Sequence, residues 1–169
     1  MLNAERIRAL LGLEPHPLEG GFYAETWRAG QRVAAADFDP AATGERGAGT
    51  AIYYLLTLET FSSMHRLRWD EVFHFYLGDP VEMLLLGPGH EGRRVTLGTD
   101  LGAGMRPQLV VPAGTWQGAR LAAGGHVALL GTTMAPGFDG ADFEIGDLEA
   151  LATRWPDFRD DVTARSRPK

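Results

Sequence analysis

His65 and Glu71 are the side chains in this sequence best suited to move a proton or hold an ion. They stand six residues apart in a strand-rich stretch running from Ser62 to Leu77. A neutral imidazole serves as a metal ligand or as a general base. A carboxylate facing it could share a hard divalent ion, or fix the ring's tautomer and raise its pKa. Gly78 follows Glu71 by seven residues. Farther on, Pro112-Ala113-Gly114-Thr115-Trp116-Gln117 ends in a neutral amide, a weaker donor than imidazole for transition ions. With no cysteine in the chain, disulfides, a thiolate nucleophile and a Cys-based zinc site are excluded.

The elements that must position these groups are mostly strands. Asn3 to Leu13 reads as a short helix capped by Asn3, with Ile7, Leu10 and Leu11 at helical spacing and Pro15 and Pro17 forbidding continuation. Gly20-Gly21 marks a turn before a strand over Phe22–Arg28. Gln31 to Gly49, rich in Ala, Gly, Asp and Pro, reads as a loop. From Thr50 onward the chain predicts strand after strand: Thr50–Leu58, Ser62–Leu67, Glu71–Leu77, Val81–Leu86, Arg93–Leu97, Gln108–Val111, Trp116–Ala122 and His126–Met134. Asp147 to Trp155 reads as a second short helix, and the last dozen residues as a charged, frayed end. Turn signals at such short intervals, with 22 glycines and 10 prolines, are the pattern of a sandwich or barrel.

With 169 residues the chain is long enough to bury a core and short enough to be read as one domain. A formal charge of −6 argues against nucleic acid, which needs a basic face. No apolar run approaches the roughly 20 residues of a membrane helix. The first residues lack the order of a signal peptide, so a cytoplasmic location is expected. Gly87-Pro88-Gly89 opens no helix and makes no phosphate loop, and Ser62-Ser63 sits in no nucleophile elbow. The acidic Asp139–Glu144 run lacks the calcium-loop spacing and reads as a surface turn or as part of a pocket rim. Arg28, Arg66 and Arg68 read first as solvated charges, with attraction of an anionic substrate as the alternative. His16, between two prolines, reads as a structural loop residue.

The spacing around His65, Glu71, Gly78 and Pro112–Gln117 resembles the two cupin motifs, with Leu67 where the first motif has its second His and Gln117 where the second motif has its last. His16–Thr26, Thr50–Leu56, Asp70–His74, Val111–Trp116 and Ala135–Asp139 resemble, in order, cupin subfamily five, over about Leu10 to Asp147. That family usually reads His-Pro-Glu-Gly-Gly, and here Leu18 is inserted between Pro17 and Glu19. The resemblance implies an all-β double-stranded β-helix, or jelly roll, with short N- and C-terminal helices and a core over about residues 20–146. It also implies a homodimer and a pocket inside the barrel, and little about the reaction.

On this resemblance His65 and Glu71 are the candidate catalytic pair. Glu25, Tyr53, His74, Trp116 and Gln117 are candidate ligand-binding residues. His74 stays open: alternation puts it opposite Glu71, and a β-bulge near Asp70–Glu71 would turn it inward. If a metal is bound, His65, Glu71 and Gln117 are its candidate ligands. With two His positions lost, the expectation is no cofactor, or at most a weakly held divalent ion. The first functional reading is a metal-independent isomerase or epimerase of a small carbohydrate-like molecule, with His65 moving the proton and Glu71 orienting it. Two alternatives remain: a non-catalytic binding module for a small ligand, and a metal-dependent enzyme built on the degenerate site.

Overall fold

The computed structural model describes residues 3–166. Helix α1 (Ala4–Leu11) begins where the Asn3 side chain accepts the Arg6 N–H at 2.9 Å, and ends at Gly12 in the left-handed region. Strands β1 (Glu14–Pro15), β2 (Phe22–Arg28), β3 (Arg32–Ala34), β4 (Glu45–Gly47), β5 (Thr50–Thr57), β6 (Ser62–Leu67) and β7 (Glu71–Gly78) follow. Then come β8 (Val81–Leu86), β9 (Gly92–Leu97), β10 (Gln108–Val111), β11 (Trp116–Leu121), β12 (Val127–Met134) and β13 (Phe143–Ile145). Two short helices, α2 (Leu148–Arg154), capped by Asp147, and α3 (Arg159–Thr163), close the described chain.

The long strands form two antiparallel sheets facing one another. One has the order β1-β2-β5-β12-β7-β10, the other β13-β6-β11-β8-β9. This is the expected jelly roll. Strict alternation sends one set of side chains between the sheets. Tyr54 and Leu56 of β5, Phe73 and Phe75 of β7, and Met83 and Leu85 of β8 meet there. Each contributes roughly 1.5–3 kcal/mol of burial. Helices cover part of each opposite face. Ile7 and Leu13 pack over Leu55 and Leu129. Leu151, Trp155 and Val162 pack over Met64, Leu84 and Trp116. Gly78 makes the turn after β7 at φ +102°, where a Cβ would lie 2.2 Å from the Val127 carbonyl oxygen.

Three expectations are corrected. The Gln31–Gly49 loop contains the β3–β4 hairpin and a single 3-10 turn, Ala35–Asp37. Its composition hides this because a distant ion pair helps hold it: the Arg46 guanidinium lies on the Asp142 carboxylate at 2.6 and 2.9 Å. The same contact amends the reading of Asp139–Glu144, which forms a largely exposed turn over Gly140–Asp142 and reaches the cavity rim at Phe143, but is anchored by a buried carboxylate. Asp142 is buried, also accepts the Trp69 indole N–H at 2.8 Å, and is followed by an edge strand, β13. The end of the chain is helical as far as Thr163, with Val162 and Arg165 buried. The expectation of fraying at residues 167–169 lies outside the described residues.

Candidate functional site

The site occupies one end of the space between the sheets. On β6, His65 and Leu67 point inward, while Arg66 points out and lays its guanidinium over Trp116. β11 runs beside β6 with Gln117 directly across from His65. Glu71 opens β7 on the facing sheet. The Gln117 amide bridges the gap, donating from Nε2 to Glu71 Oε2 at 2.7 Å, and Thr132 of β12 also hydrogen-bonds Glu71. His65 and Glu71 line a cavity of about 180 Å³, walled by apolar groups that include Ile52, Leu67, Met134 and Phe143. That volume is below the few hundred Å³ of a drug-sized pocket. A larger hollow, about 540 Å³, lies outside along Arg66, Arg68 and Glu144. It is an open groove whose arginines are already paired with Glu144, Asp39 and Asp142.

Burial governs the electrostatics here. His65 Nδ1 faces two acceptors, the Ser63 carbonyl at 2.7 Å and Glu19 Oε2 at 3.2 Å, so the ring proton belongs on Nδ1 and Nε2 carries the lone pair. Phe143 stacks on the ring, centroids 5.1 Å apart. Desolvation pushes the His65 pKa down, against the pull of Glu71 and the Ser63 carbonyl. Glu71 goes the other way, up to about 7. Burial is the main cause and the Glu19 charge the second, with His65, Thr132 and Gln117 opposing them. Burial also raises Glu19, against His16 and the Ser62 hydroxyl. The cavity therefore holds a neutral imidazole beside a carboxyl that changes charge near neutrality, the condition for proton exchange in either direction.

The structure brings His65, Glu71 and Gln117 together and sets Glu25 at the cavity rim, bridged to Arg28 at 2.7 Å. The β2–β5 register shifts between Glu25 and Trp27, an irregularity at Thr26 that leaves Arg28 rather than Trp27 on the cavity side. Arg28 also donates to the Phe138 carbonyl. Three other candidates lie elsewhere. Tyr53 alternates away from the interior and meets Tyr76 edge-on, centroids 5.9 Å apart. Trp116 sits on the outer face of the five-stranded sheet among Met64, Leu84 and Leu86. His74 faces outward, 3.1 Å from the Thr133 hydroxyl and 3.3 Å from the Gln108 amide. A register shift does occur opposite β7, between Leu129 and Leu130. It falls beyond His74, so alternation from Glu71 to His74 is undisturbed.

Two site residues escaped the sequence reading. Glu19 and His16 both line the cavity, contributed by the loop between β1 and β2. That loop is tied to β6 by Ser63 N–H donating to the Glu19 carbonyl at 2.8 Å. Gly21 takes φ +69° where a Cβ would press on the Leu55 carbonyl at 2.8 Å. The inserted Leu18 bulges outward, 44% exposed, and leaves Glu19 inside. The available signal was a carboxylate held between Pro17 and Gly20-Gly21 in a segment that already carried the family resemblance.

Two antiparallel sheets wrapped around a half-polar cavity define a cupin. The chain belongs to the cupin superfamily, in the family described as DUF985, which matches residues 5–146. It is similar to a crystallised protein of Shewanella oneidensis, 36% identical over 100% of both chains with a TM-score of 0.86. It is also similar to a hypothetical protein of Leishmania major, 31% identical over 99% of this chain and 100% of that one, with a TM-score of 0.88. A Bacillus subtilis oxalate decarboxylase with Mn(II) centres shares the fold alone. It is 9% identical over 93% of this chain and 38% of that one, at a TM-score of 0.52. No curated protein matches the sequence.

A metal such as the Mn(II) of that oxalate decarboxylase does not suit this donor set. Leu67 offers no ligand atom. Glu71, held near pKa 7, already receives the Gln117 amide, and His65 is the one imidazole on the inner strands at this end. Among the described residues no group of three or more His, Cys, Asp and Glu side chains could hold an ion. Zinc, copper or nickel wants more imidazole or thiolate than this, and a hard ion such as Mn(II) wants more free oxygen donors than Glu71 supplies.

Proposed function

We propose that this protein binds a small polar molecule in the barrel and moves a proton on it, as an isomerase or epimerase of a carbohydrate-like substrate. What carries the reading is that His65, with its Nε2 lone pair free to act as base, and Glu71, a carboxyl of pKa about 7, line the same small cavity. In this scheme Nε2 removes a proton next to a carbonyl and the protonated Glu71 donates to the developing oxyanion. Gln117 keeps Glu71 in place. The cavity volume of about 180 Å³ restricts the substrate to a few carbons. The test is exchange of substrate C–H for deuterium in heavy water, screened over short sugars and hydroxy-carbonyl acids. Exchange with wild type, lost in His65→Ala and cut at least tenfold in Glu71→Gln, is the expected result. Tight binding of a screened compound with no exchange would instead assign a binding module.

The same reading takes the chain as a homodimer. Tyr76 and Val110, each 48% exposed, stand on the uncovered side of the six-stranded sheet. A mass of one chain, about 18.4 kDa, in light scattering would remove that part of it.

A further inference from the structure

We infer that Glu19 is the positioning residue of the site, a carboxylate clasped between two histidines that holds the His65 proton on Nδ1 and turns Nε2 to the cavity. The inference rests on His65 as the base of the proposed proton transfer. Its geometry is independent of any substrate. Glu19 Oε2 lies 3.2 Å from His65 Nδ1 and accepts the Ser62 hydroxyl at 2.8 Å. Glu19 Oε1 lies 3.3 Å from His16 Nε2. The His16 tautomer is fixed from its other side. Its Nδ1 accepts the backbone N–H groups of Glu19 at 3.2 Å and Leu18 at 3.4 Å, so Nε2 bears the proton and donates to Glu19. One carboxylate thus receives an N–H from each ring.

The arrangement has a chemical consequence. A neutral His65 must keep Nε2 unprotonated to act as a base, and a ring free to choose would divide itself between tautomers. The Ser63 carbonyl and Glu19 both oppose that choice. When Nε2 takes a proton, the imidazolium lies between that carbonyl and the Glu19 carboxylate, so the new charge is met where it forms. His16 and the Ser62 hydroxyl oppose the rise that burial gives the Glu19 pKa. The other charged groups lining this space are Glu71, from β7, and Glu25 with Arg28, from β2. The last two are paired with each other at the rim.

The experiment is a long-range proton–nitrogen NMR spectrum of protein labelled with ¹⁵N-histidine, at pH 8, well above the His65 pKa that burial pushes down. Wild type should show His65 as the Nδ1–H tautomer. In Glu19→Gln the side-chain amide can donate to Nδ1, and the tautomer ratio should move about tenfold toward Nε2–H, the size of effect expected for one charge-assisted hydrogen bond. An Nε2–H tautomer in wild type, or an unchanged ratio in folded Glu19→Gln, overturns the inference. Should Glu19→Gln not fold, His16→Gln reads the other end of the clasp. There the ¹³C carboxyl titration of Glu19 should move to higher pH, and an unmoved midpoint overturns the inference. These signals need no substrate. A tautomer result as expected with no exchange into any compound would remove the proposed reaction and keep the role of Glu19, and the reverse would remove only that role.

Discussion

The two ends of the barrel are built from the same strands and behave as different materials. Along β7 the inward positions run Glu71, Phe73, Phe75, and along β11 they run Gln117, Ala119, Leu121. Along β12 Thr132 gives way to Leu130 and Ala128. At one end the inward positions of these three strands are apolar and close-packed. At the other, two steps up the same strands, a carboxyl and an amide are buried and hydrogen-bonded to each other, with the buried His65 imidazole of β6 on the same cavity. The fold needs apolar inward residues only over part of its depth. The remainder is free for chemistry, at the cost of desolvating groups that prefer charge.

The largest expected effect tests the packed end. Phe73→Ala leaves a cavity in the middle of the core, and a loss of about 3–5 kcal/mol is expected in urea unfolding. A loss under 1 kcal/mol would mean that this end is not close-packed, and the contrast between the ends would fail.

At the polar end the sign reverses with pH. The Glu71 carboxyl ionises near 4.5 in an unfolded chain and near 7 when folded. Between those values the folded chain binds the extra proton. The stability Glu71 lends is full below pH 4.5, falls as pH rises, and is gone above about pH 7. Glu71→Gln should therefore unfold later than wild type at pH 8, by on the order of 3 kcal/mol, and the advantage should vanish near pH 4.5. His65 has a depressed pKa and acts in the opposite sense: its stability is present above the usual histidine range and is lost as pH falls through the folded value. Together they put the optimum in weak acid. An optimum above pH 8, or a Glu71→Gln advantage independent of pH, would contradict the burial of these groups.

A smaller effect isolates the bridge between the sheets. Gln117→Leu removes the amide that donates to Glu71. The Glu71 midpoint should rise by about one pH unit in ¹³C NMR, the worth of one hydrogen bond to a charged group. A fall would mean that Gln117 presents its oxygen to a protonated Glu71 instead.

The core strands and both helix caps were legible because each rests on local pattern: alternation, Asn3 and Asp147 before helical turns, Gly78 closing β7. His65, Glu71 and Gln117 were legible through their spacing. What stayed hidden depends on contacts distant in sequence. Glu19 becomes a site residue only when its loop folds against β6, more than 40 residues on, and Arg46 orders the β3–β4 hairpin only by finding Asp142, 96 residues away. Tyr53 and Trp116 were misplaced for another reason. Aromatic character says that a side chain is covered and leaves open which face of the sheet covers it.

His74 is the sharpest small test, because a one-residue difference in register separates the two ends' chemistry from bare surface. Its ring lies between Thr133 and Gln108 on the outer side of the six-stranded sheet, nearly parallel to Tyr76 at 6.3 Å. Nothing in that setting is buried as deeply as His65, so His74→Ala should change stability by no more than about 0.5 kcal/mol. The Glu71 titration should not move, since a sheet stands between the two side chains. A shift of the Glu71 midpoint by a full pH unit would put His74 inside, which requires the bulge to precede it. Every later inward residue of β7 would then change face, and Phe73 and Phe75 could not both fill the core.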